Sequence, residues 1–262
     1  MKVFFTAVWA IICLVILFYG HSYWSDRTAV KAEIEKKAAS PANKASKQTN
    51  EPNYDEFLAK AQNWPEAARQ QFQQKLKQKK SFKILFVGST ALGNKDQGML
   101  KDVIQQLNDS YGSDHLSIAV HTYDVTSSDF IAKNDQLEVA AEKAQLIVFE
   151  PFLLNDNNKG NVRDSLNNLI KVIGDVTRTN PDTTFILQPS YPLFAAKYYP
   201  IQVAKLKQYA AQNQITYLDH WTSWPASTDK TLNDYLLPGG SGPNDKGNQV
   251  WSQYLINFLI HK

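Results

Sequence analysis

Several short apolar stretches of this 262-residue chain end in side chains that can do chemistry. "FKILFVG" leads into Ser89, Thr90 and then Gly93. "LSIAVHTYDV" leads into Asp124, Thr126, Ser127 and Ser128, and "AQLIVFEPF" into Asn155 and Asp156. "TTFILQPS" carries Gln188 and Ser190 and is followed by Tyr191, while "TYLDHW" carries Asp219, His220 and Trp221. A hydroxyl, an amide and an imidazole at the ends of separate strands are the parts of an acyl-transfer site: a nucleophile, a donor for the developing oxyanion, and a base. His220 is the candidate base. His21 lies beside the N-terminal apolar run, His261 at the tail, His115 in a loop and His121 inside the second stretch; His220 alone stands at a strand's carboxyl end. Neighbouring strand residues point to opposite faces, so the carboxylate partner of His220 stays open among Asp219, Asp156 and Asp124.

These groups need a scaffold that gathers strand ends. Between the apolar stretches run helical patterns. One carries Leu100, Val103, Ile104, Leu107 and Tyr111 on one face; a second carries Leu166, Leu169, Ile170 and Ile173. A third begins at Pro200, and the last holds Val250, Trp251, Tyr254, Leu255, Phe258 and Leu259 in a 3.6-residue stripe. Strands alternating with helices predict an α/β fold with a five-stranded parallel sheet covered on both faces. In such a sheet, ligands bind outside the carboxyl ends of the strands. Trp221, Trp224, Tyr191, Tyr198 and Tyr199 fall near those ends and could stack on sugar rings, or simply fill the core.

Upstream the composition changes. Val3–Gly20 carries no charge. As a helix it would reach roughly 27 Å, against about 30 Å for a bilayer core. Lys2 precedes it, and Tyr23 and Trp24 follow as interfacial aromatics do. We read 1–24 as an uncleaved transmembrane anchor, because the apolar run is long for a cleaved signal and Gly20 and Ser22 are the only small-residue pair near its end. A single N-terminal span before a long soluble domain places the bulk of the chain outside the cytoplasm. Residues 25–52 are polar and read as a tether, 53–80 as a helical lead-in with a mostly solvated surface, and 81–262 as the main domain. Net charge is only +3, with no basic stripe, so nucleic acid is not an expected partner. One cysteine allows no internal disulfide; no histidine pair has metal-ligand spacing, and no phosphate loop or dinucleotide fingerprint occurs. Neither metal nor cofactor is expected.

Residues 82–260 resemble the SGNH/GDSL hydrolase family. "KILFVGSTALG" is similar to its first block, G-D-S-L-x-x-G; "FLLND" to its third, G-x-N-D; "GPNDKGNQVW" to its fifth, D-x-x-H-P-N-x-x-G. "VGSTALG", "FEPFLLND" and "YLDHWTSWP" look most like a Gram-positive, membrane-anchored branch. The resemblance implies a flavodoxin-like three-layer α/β/α sandwich and metal-free hydrolysis of carboxylic or O-acetyl esters, and with the expected location it points to cell-envelope glycans as substrate. It also implies an oxyanion role for Asn155. Counted from the strand, the family's serine falls on Thr90; counted back from Gly93, it falls on Ser89. Ser89 is preferred because a primary hydroxyl is less hindered. The fifth-block Asp and His, however, are replaced by Gly239 and Gly242. The chain is therefore expected to be an esterase that moved its base, to His220, or a module that binds glycan or a wall-assembly partner without turnover. Acyl transfer to a glycan hydroxyl would use the same nucleophile.

Overall fold

The computed structural model describes residues 54–157, 159 and 162–261; the expected anchor and tether lie outside the described residues. Among the described residues, no helix is long and apolar enough to cross a membrane. Strands β1 (Phe82–Ser89), β2 (Leu116–Tyr123), β3 (Leu146–Phe149), β4 (Thr184–Leu187) and β5 (Thr216–Tyr217) form one sheet in the order β2-β1-β3-β4-β5. Every pairing is parallel. The chain starts at β1, moves outward to β2, then crosses back to β3. This reversal opens a crevice at the carboxyl ends of β1 and β3, the usual ligand position in an open α/β sheet.

Helices cover both faces. In chain order they are α1 (Asp55–Lys60), α2 (Glu66–Lys77), α3 (Met99–Tyr111), α4 (Ser127–Ala132) and α5 (Asp135–Ala141). The series continues with α6 (Leu153–Asp156), α7 (Val162–Thr179), α8 (Tyr199–Gln212) and α9 (Asp245–Leu259). Alternate residues of each strand feed opposite layers, because strand side chains have a period of two. Ile84, Phe86, Val148 and Ile186 pack with Phe72, Val103, Leu107, Trp251 and Leu255. Leu85, Val87, Ile147 and Leu187 pack on the other side with Phe130, Val139, Val172 and Leu206. The result is the three-layer sandwich expected from the alternation.

The lead-in differs from its polar composition. Ala68, Phe72 and Leu76 recur every four residues along α2 and are buried, against the expected solvated surface. Trp64 fills the same core, and its Nε1–H donates to the Leu259 carbonyl at 2.8 Å. Gln and Lys occupy only the outer face. The helices and the sheet belong to one compact unit, Pro52–Lys262.

Two strands are shorter than their apolar stretches. β3 stops at Phe149; the Glu150 N–H still reaches the Val87 carbonyl at 2.8 Å, but Pro151 has no N–H to continue the ladder. β5 stops at Tyr217, and His220 opens a 3₁₀ turn to Ser223 rather than ending a strand.

Candidate active site

A cleft of about 460 Å³ opens at the β1/β3 reversal, lined by Ser89, Thr90, Asp124, Asn155 and Tyr191, with Ser241, Gly242 and Asn248 opposite. β1 delivers Ser89 at its last position, and Thr90 begins the 3₁₀ turn Thr90–Leu92. That turn ends at Gly93, whose φ of 77° suits glycine; a Cβ there would stand 2.2 Å from the Gln97 carbonyl oxygen. Ser89 is 2% exposed, and its hydroxyl has no hydrogen-bond partner. Thr90 is exposed, so it is the hydroxyl that solvent reaches first.

Asn155 comes from the short helix α6. Just before it, Phe152 adopts a left-handed conformation, φ 60°, which is uncommon for a bulky residue and redirects the chain after Pro151. One Asn155 Nδ2–H donates to the Val125 carbonyl at 2.8 Å. A primary amide carries two such hydrogens, so one donor remains. Ser89, Thr90, Asn155 and Asp124 therefore share one cleft, as strand-end reasoning anticipates.

Asp156 and His220 do not join them. Asp156 is buried and its carboxylate is fully engaged: Oδ1 accepts from the Ser127 N–H at 2.7 Å, and Oδ2 from the Ser127 and Ser165 hydroxyls at 2.6 and 2.5 Å. It ties α4 and α7 to α6 and has no oxygen to spare for an imidazole. His220 is 0% exposed and stacks on Trp251 at 4.7 Å, beneath α9. The Trp224 Nε1–H donates to its Nδ1 at 3.1 Å, which fixes the proton on Nε2; that N–H donates to the Pro189 carbonyl at 3.0 Å. Both nitrogens are used. Burial lowers the His220 pKa to about 4, although the Pro189 hydrogen bond and the Asp219 charge oppose the fall. This is a neutral structural histidine. It lies away from the cleft because the chain turns at His220, three residues after β5 ends, and buries the ring under α9.

The remaining described histidines are elsewhere. His115 bonds to the Tyr111 carbonyl at 2.8 Å, His121 to Glu142 at 2.8 Å, and His261 is exposed at the tail. Gly242 lines the cleft, and a Cβ there would lie 3.3 Å from Leu237 Cδ1. Gly239 sits at φ 71°, in the loop beside the cleft. Most of the candidate sugar platform is core: Tyr199, Tyr191 and Trp224 are buried and Trp221 is half-buried, bonding the Ser190 carbonyl at 2.7 Å. Tyr198 alone is largely exposed, at 67%.

One group in this region escaped the reading of motifs. Glu150 follows β3 directly and is 0% exposed. Its Oε2 accepts from the Ser89 N–H at 2.7 Å, while Oε1 has no partner. Gly88 makes this fit, since a Cβ there would meet Glu150 Cβ at 2.7 Å. Burial holds the carboxyl above the usual carboxylate range; the Ser89 and Phe152 amides pull it down, and Asp156 adds to the rise. Tyr191 is pushed up to about 12 by burial and by the Glu150 charge. The available signal was a lone acidic residue between the apolar "LIVF" and a proline.

No protein-family model and no curated protein matches the chain. Solved structures do. A protein described as a GDSL-like lipase, from Parabacteroides merdae, aligns over 69% of this chain and 96% of its own, with TM-score 0.58 and 13% identity. A protein described as a lipolytic member of the G-D-S-L family, from Desulfitobacterium hafniense, aligns over 68% and 99%, with TM-score 0.54 and 14% identity. An acetylxylan esterase from Geobacillus stearothermophilus aligns over 68% and 94%, with TM-score 0.53 and 13% identity. Together with the sheet order and the cleft at its reversal, these likenesses show that the described domain has the SGNH-hydrolase fold.

Proposed function

We propose that this chain is a membrane-tethered, extracytoplasmic ester hydrolase acting on acyl or O-acetyl esters of cell-envelope glycans. The observation that carries the reading is the meeting of Ser89, Thr90 and Asn155 in one cleft at the β1/β3 reversal. In this reading Ser89 Oγ attacks the ester carbonyl carbon. The free Asn155 N–H donates to the oxygen on which negative charge develops, an interaction worth about 3 kcal/mol in comparable sites. The glycan part of the proposal is supported by the acetylxylan esterase among the structural neighbours and by the expected location outside the membrane.

The test is release of acetate or p-nitrophenol from short acyl esters and O-acetylated oligosaccharides by the full-length protein in detergent. Ser89→Ala should remove turnover, and Thr90→Val should leave most of it. The reverse order would transfer the nucleophile to Thr90. A second reading, an SGNH-fold module that binds an acylated glycan without cleaving it, is favoured by two facts. The Ser89 hydroxyl is shielded from solvent, and none of the described histidines lines the cleft. Binding of an O-acetylated oligosaccharide with no acetate released would establish it.

A further inference from the structure

We propose that Glu150 is the general base for Ser89, forming a serine–carboxylate dyad across the ends of β1 and β3. The inference rests on the hydrolase reading and supplies the base that reading lacks. Three observations carry it. The carboxyl is locked against the serine, because Oε2 accepts the Ser89 N–H at 2.7 Å. Glu150 Oε1 and Ser89 Oγ are both buried and both unpartnered. Buried polar atoms are nearly always paired, so an unused acceptor and an unused donor on two residues already joined by a backbone N–H to carboxylate hydrogen bond mark a place where a proton can move. Gly88 then clears the space: any larger residue would push the carboxyl away from β1.

The cycle balances without a further reactant. As Ser89 Oγ bonds to the ester carbonyl carbon, its proton passes to the Glu150 carboxylate and the carbonyl π pair moves to oxygen. The tetrahedral species collapses, the bond to the alcohol oxygen breaks, and that oxygen takes the proton from Glu150. Water next adds to the acyl-serine and gives a proton to the carboxylate. The acid departs as Ser89 Oγ recovers its proton. Ester and water have become acid and alcohol.

The groups bearing on Glu150 set its pH behaviour. They are the Ser89 amide from β1, the Phe152 amide, Asp156 from α6, Tyr191 after β4, and Tyr199 on α8. Asp156 reinforces what burial does, raising the pH at which Glu150 ionises. A stronger base results, but one that is available only once ionised. Turnover should therefore climb with pH along a single limb centred above the ordinary carboxylate range.

The deciding variant is Glu150→Gln, assayed with p-nitrophenyl acetate on the full-length protein in detergent, beside the parent and Ser89→Ala. Glutamine retains an oxygen for the Ser89 N–H but cannot take a proton. Turnover should drop about 10²–10⁴-fold, with an unchanged or raised melting temperature. If Glu150→Gln keeps parental turnover while Ser89→Ala loses it, Glu150 is not the base and the hydrolase reading stands. If the parent turns over no ester, both fall. Should Glu150→Gln not fold, the parent's profile decides alone: a rate independent of pH from about 4 to 8 would overturn the dyad.

Discussion

His220 and Glu150 show how a residue's role follows from its surroundings rather than its type. Imidazole is the usual base near neutral pH, yet here it is clamped between Trp224, Trp251 and the Pro189 carbonyl. The consequence is a stability effect. The folded pKa is lowered to about 4 from 6.5. Between those values the unfolded chain binds a proton that the folded chain refuses, so stability is full above about pH 6.5 and falls as pH drops toward 4. Glu150 has the opposite sign. Its folded pKa is raised above 4.5, so its contribution is full below that value and is lost as pH rises through the folded pKa. Thermal melts across pH should show both. His220→Gln should flatten the acid limb and cost roughly 1–3 kcal/mol at neutral pH through lost stacking and buried hydrogen bonds. Ester turnover per folded molecule should stay at the parental level; a specific loss would return His220 to the chemistry.

At the scale of elements, α2 matters more than its composition implies. Phe72 is 0% exposed and its ring lies 5.2 Å from Trp64, 5.5 Å from Phe82 and 5.7 Å from Tyr111. Truncation to alanine should cost about 3–5 kcal/mol, read as a shift in chemical denaturation midpoint. Removing residues 1–80 would uncover this whole face, although every family-like motif lies downstream. The shortened chain should aggregate or melt without cooperativity. A sharp thermal transition from residues 81–262 would show instead that the sheet closes its core without the lead-in. The short β5 and the turn after it belong to the same scale: their early end carries His220 under α9 and away from the cleft.

For the molecule as a whole, the reversal between β1 and β3 places the cleft at the strand ends. The proposed anchor would keep the protein at the membrane. Full-length protein should stay with membranes after an alkaline carbonate wash, and deletion of residues 1–24 should release it. Recovery of the native protein from the medium with a new N-terminus near residue 23 would identify the segment as a cleaved signal.

Sequence alone was enough for the architecture. Apolar runs alternating with 3.6-residue stripes dictate a parallel sheet between helices, and hydroxyl and amide residues at run ends mark the cleft, because both patterns are local and periodic. Ser89, Thr90, Asp124 and Asn155 were legible for that reason. Tertiary structure decided the partners. His220 looked like a strand-end residue until β5 proved only two residues long, which changed the face its ring meets. Phe72 and Leu76 were masked by the glutamines around them. Glu150 was invisible as a neighbour of Ser89 because the two are far apart in sequence and meet only through the pairing of β1 with β3. A motif records what one segment can offer; which groups touch, and whether they are buried together, depends on packing between segments.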